Sequence, residues 1–69
     1  MAFNYSKLRG KIRECNLTQK QLAEDIGISK ATLSAKLNNQ FAFTTNEMLA
    51  IGERLNIPKN ELGDYFFAE

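Results

Sequence analysis

Histidine is absent from this sequence of 69 residues, and Cys15 is its single cysteine. No disulfide can therefore form within the chain, and a zinc finger, which needs several Cys or His ligands, is excluded. No run of apolar residues is long enough for a transmembrane span or a signal-peptide core. We accordingly expect a cytoplasmic protein with no membrane contact, no metal, no cofactor and no small-molecule ligand.

Valine is also absent, and no stretch alternates apolar and polar residues as a half-buried strand does. Leucine and alanine, which favour helices, dominate the apolar set. A chain of this length has room for one core. The sequence therefore predicts a single all-α domain over residues 1–69, a compact arrangement of five short helices. The predicted inward-facing residues are Tyr5, Leu8, Ile12, Cys15, Leu22, Ala23, Ile26, Leu33, Leu37, Met48, Ile51, Gly52, Leu55, Leu62, Tyr65 and Phe66.

Local sequence patterns predict where these helices begin and end. Residues 18–21 and 44–47 have the capping-box form, in which a threonine accepts from a backbone N–H and a Gln or Glu reaches back. Gly27 suits the left-handed position after the second helix. The other predicted boundaries are Asn4 and Ser29 as N-caps, Pro58 in the first turn of the last helix, and Asn16, Asn38 and Asn39 as helix ends.

Charge is unevenly distributed along the chain although the net charge is only +1. Residues 1–40 carry seven basic and three acidic side chains, whereas residues 41–69 carry two basic and five acidic ones. This split favours a basic face for an anionic partner and an acidic end kept away from it. A solvated surface with chance asymmetry is an equal alternative on charge alone.

The segment from about residue 18 to residue 38 predicts a pair of helices joined by the turn Gly27-Ile28-Ser29. Helix-turn-helix DNA readers use this construction because the turn fixes the angle at which the second helix projects. The pattern Thr-Gln-x-x-Leu-Ala-x-x-Ile-Gly-Ile-Ser-x-x-x-Leu-Ser, from Thr18 to Ser34, resembles the helix-turn-helix of the lambda-repressor/Cro-like family of transcriptional regulators. The spacing of Ala23, Gly27 and Leu33 is its most specific part.

The resemblance implies a five-helix fold whose third helix enters the major groove of a DNA operator. It also implies an inverted-repeat site occupied by a homodimer. The segments Tyr-Ser-Lys-Leu-Arg-Gly and Gly-Asp-Tyr-Phe-Phe, near the two ends, further resemble small regulators of Gram-positive phages. The chain departs from the family pattern at Lys36, where an apolar residue is usual, and at Asn39, where many relatives have glycine. Leu37 is predicted to fill the core in place of Lys36.

Helical spacing alone, without this resemblance, predicts which side of the third helix faces outward. Leu33 and Leu37 define its inward direction, and Ala31, Ala35 and Asn38 lie opposite. Such small side chains would let the helix lie deep in a major groove. The alternative is that alanines are simply good helix formers on a solvated surface.

Chemistry and the resemblance together assign roles to individual residues. Lys30 would donate to guanine, and the methyl groups of alanine and threonine would contact thymine. The resemblance gives Gln19 a phosphate contact, and the residues beyond the helix would also contact phosphates. The predicted DNA-binding residues are Thr18, Gln19, Ser29, Lys30, Ala31, Thr32, Ser34, Ala35, Lys36, Asn38, Asn39 and Gln40. Arg9 and Arg13 either add positioning charge or are simply solvated.

Dimerisation is predicted at the carboxyl end, through Tyr65, Phe66 and Phe67. Phe67 lies off the face that its neighbours bury, so it is the main apolar candidate for the contact. Alternatively, it folds back onto its own domain.

The predicted function is a sequence-specific DNA-binding transcriptional regulator of the repressor or Cro type. An enzyme is not expected, because the chain has no histidine, no recognisable nucleophile–base pair and no Gly-rich phosphate loop. The alternative function is a protein-interaction module on the same scaffold, such as an antirepressor or antitoxin.

Overall fold

The computed structural model describes residues 3–69, and these form five α-helices and no strand. The helices are α1 (Ser6–Glu14), α2 (Gln19–Ile26), α3 (Lys30–Leu37), α4 (Thr45–Arg54) and α5 (Leu62–Phe66), and a 3₁₀ turn over Lys59–Glu61 leads into α5. The predicted all-α class with five helices is confirmed. No helix in this part of the chain combines the length and apolar character needed to cross a membrane.

Side-chain caps set the starts of α2, α3 and α4. Thr18 Oγ1 accepts from the backbone N–H of Gln21 at 3.1 Å, and Gln21 Oε1 accepts from the backbone N–H of Thr18 at 2.9 Å. Thr44 and Glu47 form the second reciprocal capping box in the same way. The start of α1 differs from the prediction by one residue. Tyr5 holds the cap position, while Asn4 Oδ1 accepts from the backbone N–H of Ser6 at 2.9 Å.

Left-handed residues follow α1, α2, α3 and α4. Gly27 has a φ of 80°, and Asn16, Asn39 and Asn56 have φ values of 58°, 63° and 57°. Asparagine tolerates this conformation better than most side chains because its short amide can bond locally. α3 ends at Leu37, and the two asparagines predicted to end it follow directly: Asn38 is the cap with an ordinary negative φ of −95°, and Asn39 takes the left-handed conformation.

The core lies where all five helices meet, and the predicted inward faces supply it. Its largest fully buried side chains are Leu8, Leu22, Leu33, Ile51, Leu55 and Phe66. Four predicted inward residues, Cys15, Ile26, Met48 and Leu62, are only half-buried and pack against the rim of this cluster. Tyr5, Phe43 and Phe66 stack edge to face, with ring centroids 5.5 and 5.2 Å apart along the series. This aromatic series joins the amino-terminal segment to the carboxyl end.

Candidate functional site

The turn between α2 and α3 determines how α3 is presented. The backbone N–H of Ile28 donates to the carbonyl of Ala23 at 2.9 Å, across the left-handed Gly27. Ser29 then begins α3, because its Oγ accepts from the backbone N–H of Thr32 at 3.1 Å. Ala23 is buried on α2, and Ile28 packs against the core. These contacts fix α3 against α2 and leave its outer face accessible.

The outer face of α3 is exposed at its amino-terminal half. Lys30, Ala31 and Thr32 are exposed, whereas Ser34 and Ala35 are half-buried. Helical periodicity places Ala35 opposite the core, but here it shares a shallow groove with Phe41 and Ala42 from the following loop. Lys30, Ala31 and Thr32 are therefore the predicted contact residues of α3 most open to a partner.

Lys36 does not have the predicted role of a phosphate contact. Its side chain is only 11% exposed and lies between α3 and α4, where the ammonium is paired with both carboxylate oxygens of Glu47. Burial alone would raise the pKa of Glu47. The hydrogen bonds from Lys36 and from the Thr44 backbone N–H outweigh burial, so the pKa lies below its ordinary value. The polar residue at this usually apolar position is thus buried with a partner.

Asn39, another predicted phosphate contact, uses its side-chain amide on the backbone of Phe3. Its Oδ1 accepts from the backbone N–H of Phe3 at 3.0 Å, and its Nδ2 donates to the carbonyl of Phe3 at 2.8 Å. Arg9 Nη2 donates to Asn38 Oδ1 at 3.0 Å and to the carbonyl of Leu37 at 3.3 Å. These side chains tether the carboxyl end of α3 to the amino-terminal part of the chain.

The remaining predicted DNA contacts lie at the surface. Thr18 is exposed at the start of α2 but its hydroxyl oxygen serves the capping box. Gln19 is half-buried beside Arg9 and Arg13, which line the same shallow depression. Gln40 is exposed in the loop after α3. The exposed cations on α2 and α3 are Lys20 and Lys30.

Phe41 is a surface residue that the sequence analysis did not identify. It is 66% exposed, more than the other exposed large apolar residues of the described chain, Leu49 and Phe67. Phe43, two residues later, is buried. The spacing Phe41-Ala42-Phe43 gave no signal for this difference, because side chains two residues apart in an extended segment are expected on the same side.

Of the residues predicted for dimerisation, two belong to the core. Phe66 is 1% exposed and Tyr65 is 9% exposed, so neither is available to a second chain. Phe67 is 52% exposed, as predicted, and its ring meets that of Phe3 edge to face at 5.6 Å. It therefore both packs against its own domain and remains half open to solvent.

Within residues 3–69, no group of three or more His, Cys, Asp or Glu side chains is placed to hold a metal ion. The site is instead a helix face bordered by a loop. In fold, the chain is similar to a phage regulatory protein, the modulator of repression (MOR) of the temperate bacteriophage TP901-1 from Lactococcus lactis. The TM-score with that solution structure is 0.80 at 36% identity, over 97% of this chain and 90% of that one. The chain belongs to the family described as protein of unknown function (DUF739), whose model matches residues 1–69. No curated protein matches it.

Proposed function

We propose that this chain is a phage-type regulator that modulates repression by binding another regulatory protein. Its contact surface is the α3–Phe41 surface, formed by Lys30, Ala31, Thr32, Ala35, Phe41 and Ala42. The similarity to a modulator of repression supports the regulatory role. The protein partner that we favour is the repressor of the same phage.

The exposure of Phe41 beside α3 is the observation that carries this proposal. A ring that is 66% exposed costs solvation free energy unless it serves a contact. Aromatic side chains surrounded by small residues are common anchors at the centre of protein interfaces. Ala31, Ala35 and Ala42 provide such surroundings because they line the same groove as Phe41.

The local charges also favour a protein partner over DNA. Specific DNA binding commonly uses several cation–phosphate contacts, and each contributes to a steep salt dependence. At the carboxyl end of α3, Lys36 is paired with Glu47, and Arg9 donates to the end of the helix. The loop from residue 38 to residue 44 carries no charge. The cations left near α3 are therefore Lys30 and Arg9, whose bonds to neutral acceptors leave its charge in place.

Operator binding is the second candidate function, and the geometry of the α2–α3 pair favours it. A short turn, a left-handed Gly27 and the Ser29 cap present α3 much as DNA readers present a recognition helix. Lys30 is exposed in the first turn of α3, where it would reach a guanine. On this reading a homodimer would bind an inverted-repeat operator, with Phe67 at the contact between subunits.

The two candidates differ in partner and in salt dependence. The chain is titrated with the repressor encoded in the same phage genome and, separately, with random duplex DNA at two salt concentrations. We expect repressor binding that Phe41→Ser weakens about tenfold or more, and almost no binding to random DNA. Leu49→Ser, which removes an exposed leucine from α4, is the matched control.

Operator binding would instead give a strongly salt-dependent complex with DNA. Lys30→Ala would then weaken specific DNA binding by about 1–3 kcal/mol and relax the base preference at one base pair per half-site. Salt-dependent binding to DNA together with no binding to the repressor would contradict the proposal of a protein partner.

A further inference from the structure

A second apolar feature lies next to the α3–Phe41 surface. The amino-terminal segment, the loop after α3 and the carboxyl end enclose a cleft of about 210 Å³. We call it the aromatic cleft. Its lining includes the rings of Phe3, Tyr5, Phe41, Phe43, Phe66 and Phe67. An apolar cavity of about 150 Å³ already accommodates a benzene molecule, so this cleft has room for one large side chain.

Backbone and side-chain hydrogen bonds hold the walls of the cleft in place. Asn39 forms two hydrogen bonds with the backbone of Phe3, and the backbone N–H of Asn4 donates to the carbonyl of Ala68 at 2.6 Å. Phe3 in turn meets Phe67 edge to face. A cleft that is already formed before binding loses little conformational entropy when it takes a ligand.

The chemistry of the lining restricts what the cleft accepts. None of its lining residues is charged, and the polar ones are Tyr5, Asn39 and Gln40. Asn39 already uses its amide on Phe3. An anion such as a phosphate would lose hydration there without gaining an opposite charge, so the fitting ligand is neutral and apolar.

The position of the cleft indicates the source of that ligand. Phe41 and Ala42 line both the aromatic cleft and the groove along α3. A partner segment that lies on the α3–Phe41 surface can therefore extend into the aromatic cleft while it stays in contact with this domain. We propose that the aromatic cleft is an anchor pocket for one aromatic or large aliphatic side chain of the bound regulatory protein. This inference rests on the proposed function.

The first test uses a probe that requires no partner. The ¹⁵N-labelled chain is titrated with N-acetyl-L-phenylalaninamide, and N-acetyl-L-serinamide, which lacks the ring, is the control probe. We expect saturable shifts of the amide signals around the cleft, among them Gln40 and Phe67, with the phenylalanine probe alone. Phe67→Ser removes one wall and should weaken this binding about tenfold, whereas Leu49→Ser should leave it unchanged.

Amide shifts that do not saturate, or probe binding that is as strong in Phe67→Ser as in the parent, would contradict the proposed pocket. Ala31→Glu separates the pocket from the proposed function, because Ala31 lines the α3 groove but not the cleft. This variant should lose repressor binding and keep probe binding. If the parent binds the probe but not the repressor, the proposed function fails and the pocket stands. If Ala31→Glu keeps repressor binding, the repressor does not contact the α3–Phe41 surface, and both the contact surface and the anchor role of the cleft are overturned.

The second test identifies the occupant. Overlapping peptides of the repressor are assayed against the parent and Phe67→Ser, and bound peptides should share an aromatic or large aliphatic residue whose replacement by serine abolishes binding. Sedimentation of the chain alone over a concentration series tests whether a second copy of the chain occupies the cleft instead. A parent that dimerises, and a Phe67→Ser variant that stays monomeric, would assign the cleft to a second copy and overturn the proposal.

Discussion

Lys36 illustrates how burial decides the role of a single residue. In the sequence it follows Ala35 on the outer part of a helix with an exposed face, and this context predicts a surface cation. In the fold its side chain is 11% exposed and bonded to Glu47, which also completes the capping box of α4. Glu47 thus links the start of α4 to the side of α3. Removing either charge alone should be costly, because the other charge is then buried without its partner.

We expect Glu47→Gln to destabilise the domain towards the lower end of the about 3–5 kcal/mol typical of breaking a buried pair. The cap itself should survive, because the other capping box of this chain uses Gln21. Lys36→Met should destabilise the domain to a similar degree, because it leaves the Glu47 carboxylate buried without its partner. The double variant Lys36→Met/Glu47→Gln should recover most of this loss, since replacing both members of a buried ion pair is often neutral or stabilising.

Urea unfolding followed by circular dichroism measures these changes. Glu53→Gln, on the exposed side of α4, is the control and should leave the free energy of unfolding unchanged. A double variant Lys36→Met/Glu47→Gln that loses as much stability as the sum of the two single variants would contradict this account of the pair.

At the scale of elements, the contact between α2 and α3 determines the surface that the domain presents. Ala23 is 1% exposed at this contact, and the carbonyl of Ala23 accepts the bond that closes the turn. A methyl group lets two helices approach closely, and a larger side chain forces them apart. The direction of α3 therefore depends on a small residue that lies on α2.

We expect Ala23→Leu to lower the free energy of unfolding by about 1–3 kcal/mol or more through overpacking. This is a large part of the stability of about 5 kcal/mol expected for so small a domain. Thermal unfolding measures the effect, and Ala31→Leu, on the exposed face of α3, is the matched control. An unchanged melting temperature in Ala23→Leu would show that α2 and α3 do not meet closely at this residue.

At the scale of the whole molecule, polar contacts between distant segments close the structure. Asn39 joins the loop after α3 to Phe3, Asn4 joins the amino-terminal segment to Ala68, and Arg54 Nε donates to Asp25 Oδ2 at 2.7 Å between α4 and α2. The Arg54–Asp25 pair is exposed and contributes little. The Lys36–Glu47 pair is shielded from solvent, and so it should dominate the response of stability to acid.

The pKa of Glu47 is lower in the folded protein than its ordinary value of 4.5. A carboxyl of this kind stabilises the fold fully above the unfolded pKa, and the contribution disappears as the pH falls through the folded pKa. We therefore expect the difference in stability between the parent and Glu47→Gln to be constant near neutral pH and to shrink below about pH 4.5. Urea unfolding at a series of pH values tests this. A difference that stays constant down to pH 3 would contradict it.

Local interactions determined what the sequence could predict by itself. The capping boxes at Thr18 and Thr44 and the left-handed Gly27 depend on residues no more than a few positions apart, and each formed as predicted. The spacing of apolar residues within each helix likewise gave the buried faces, because a helix repeats every 3.6 residues whatever it packs against. Element types, most boundaries and most of the core therefore follow from the sequence.

Only the tertiary structure decided which polar and aromatic residues remain available for a partner. Asn39 bonds to Phe3, which lies 36 residues away, and Lys36 bonds to Glu47, 11 residues away. Periodicity within one helix carries no information about such contacts. The outward ring of Phe41 and the inward rings of Tyr65 and Phe66 were decided in the same way. The physical reason is that exposure depends on how separate helices pack together, whereas capping and helical spacing depend on neighbours along the chain.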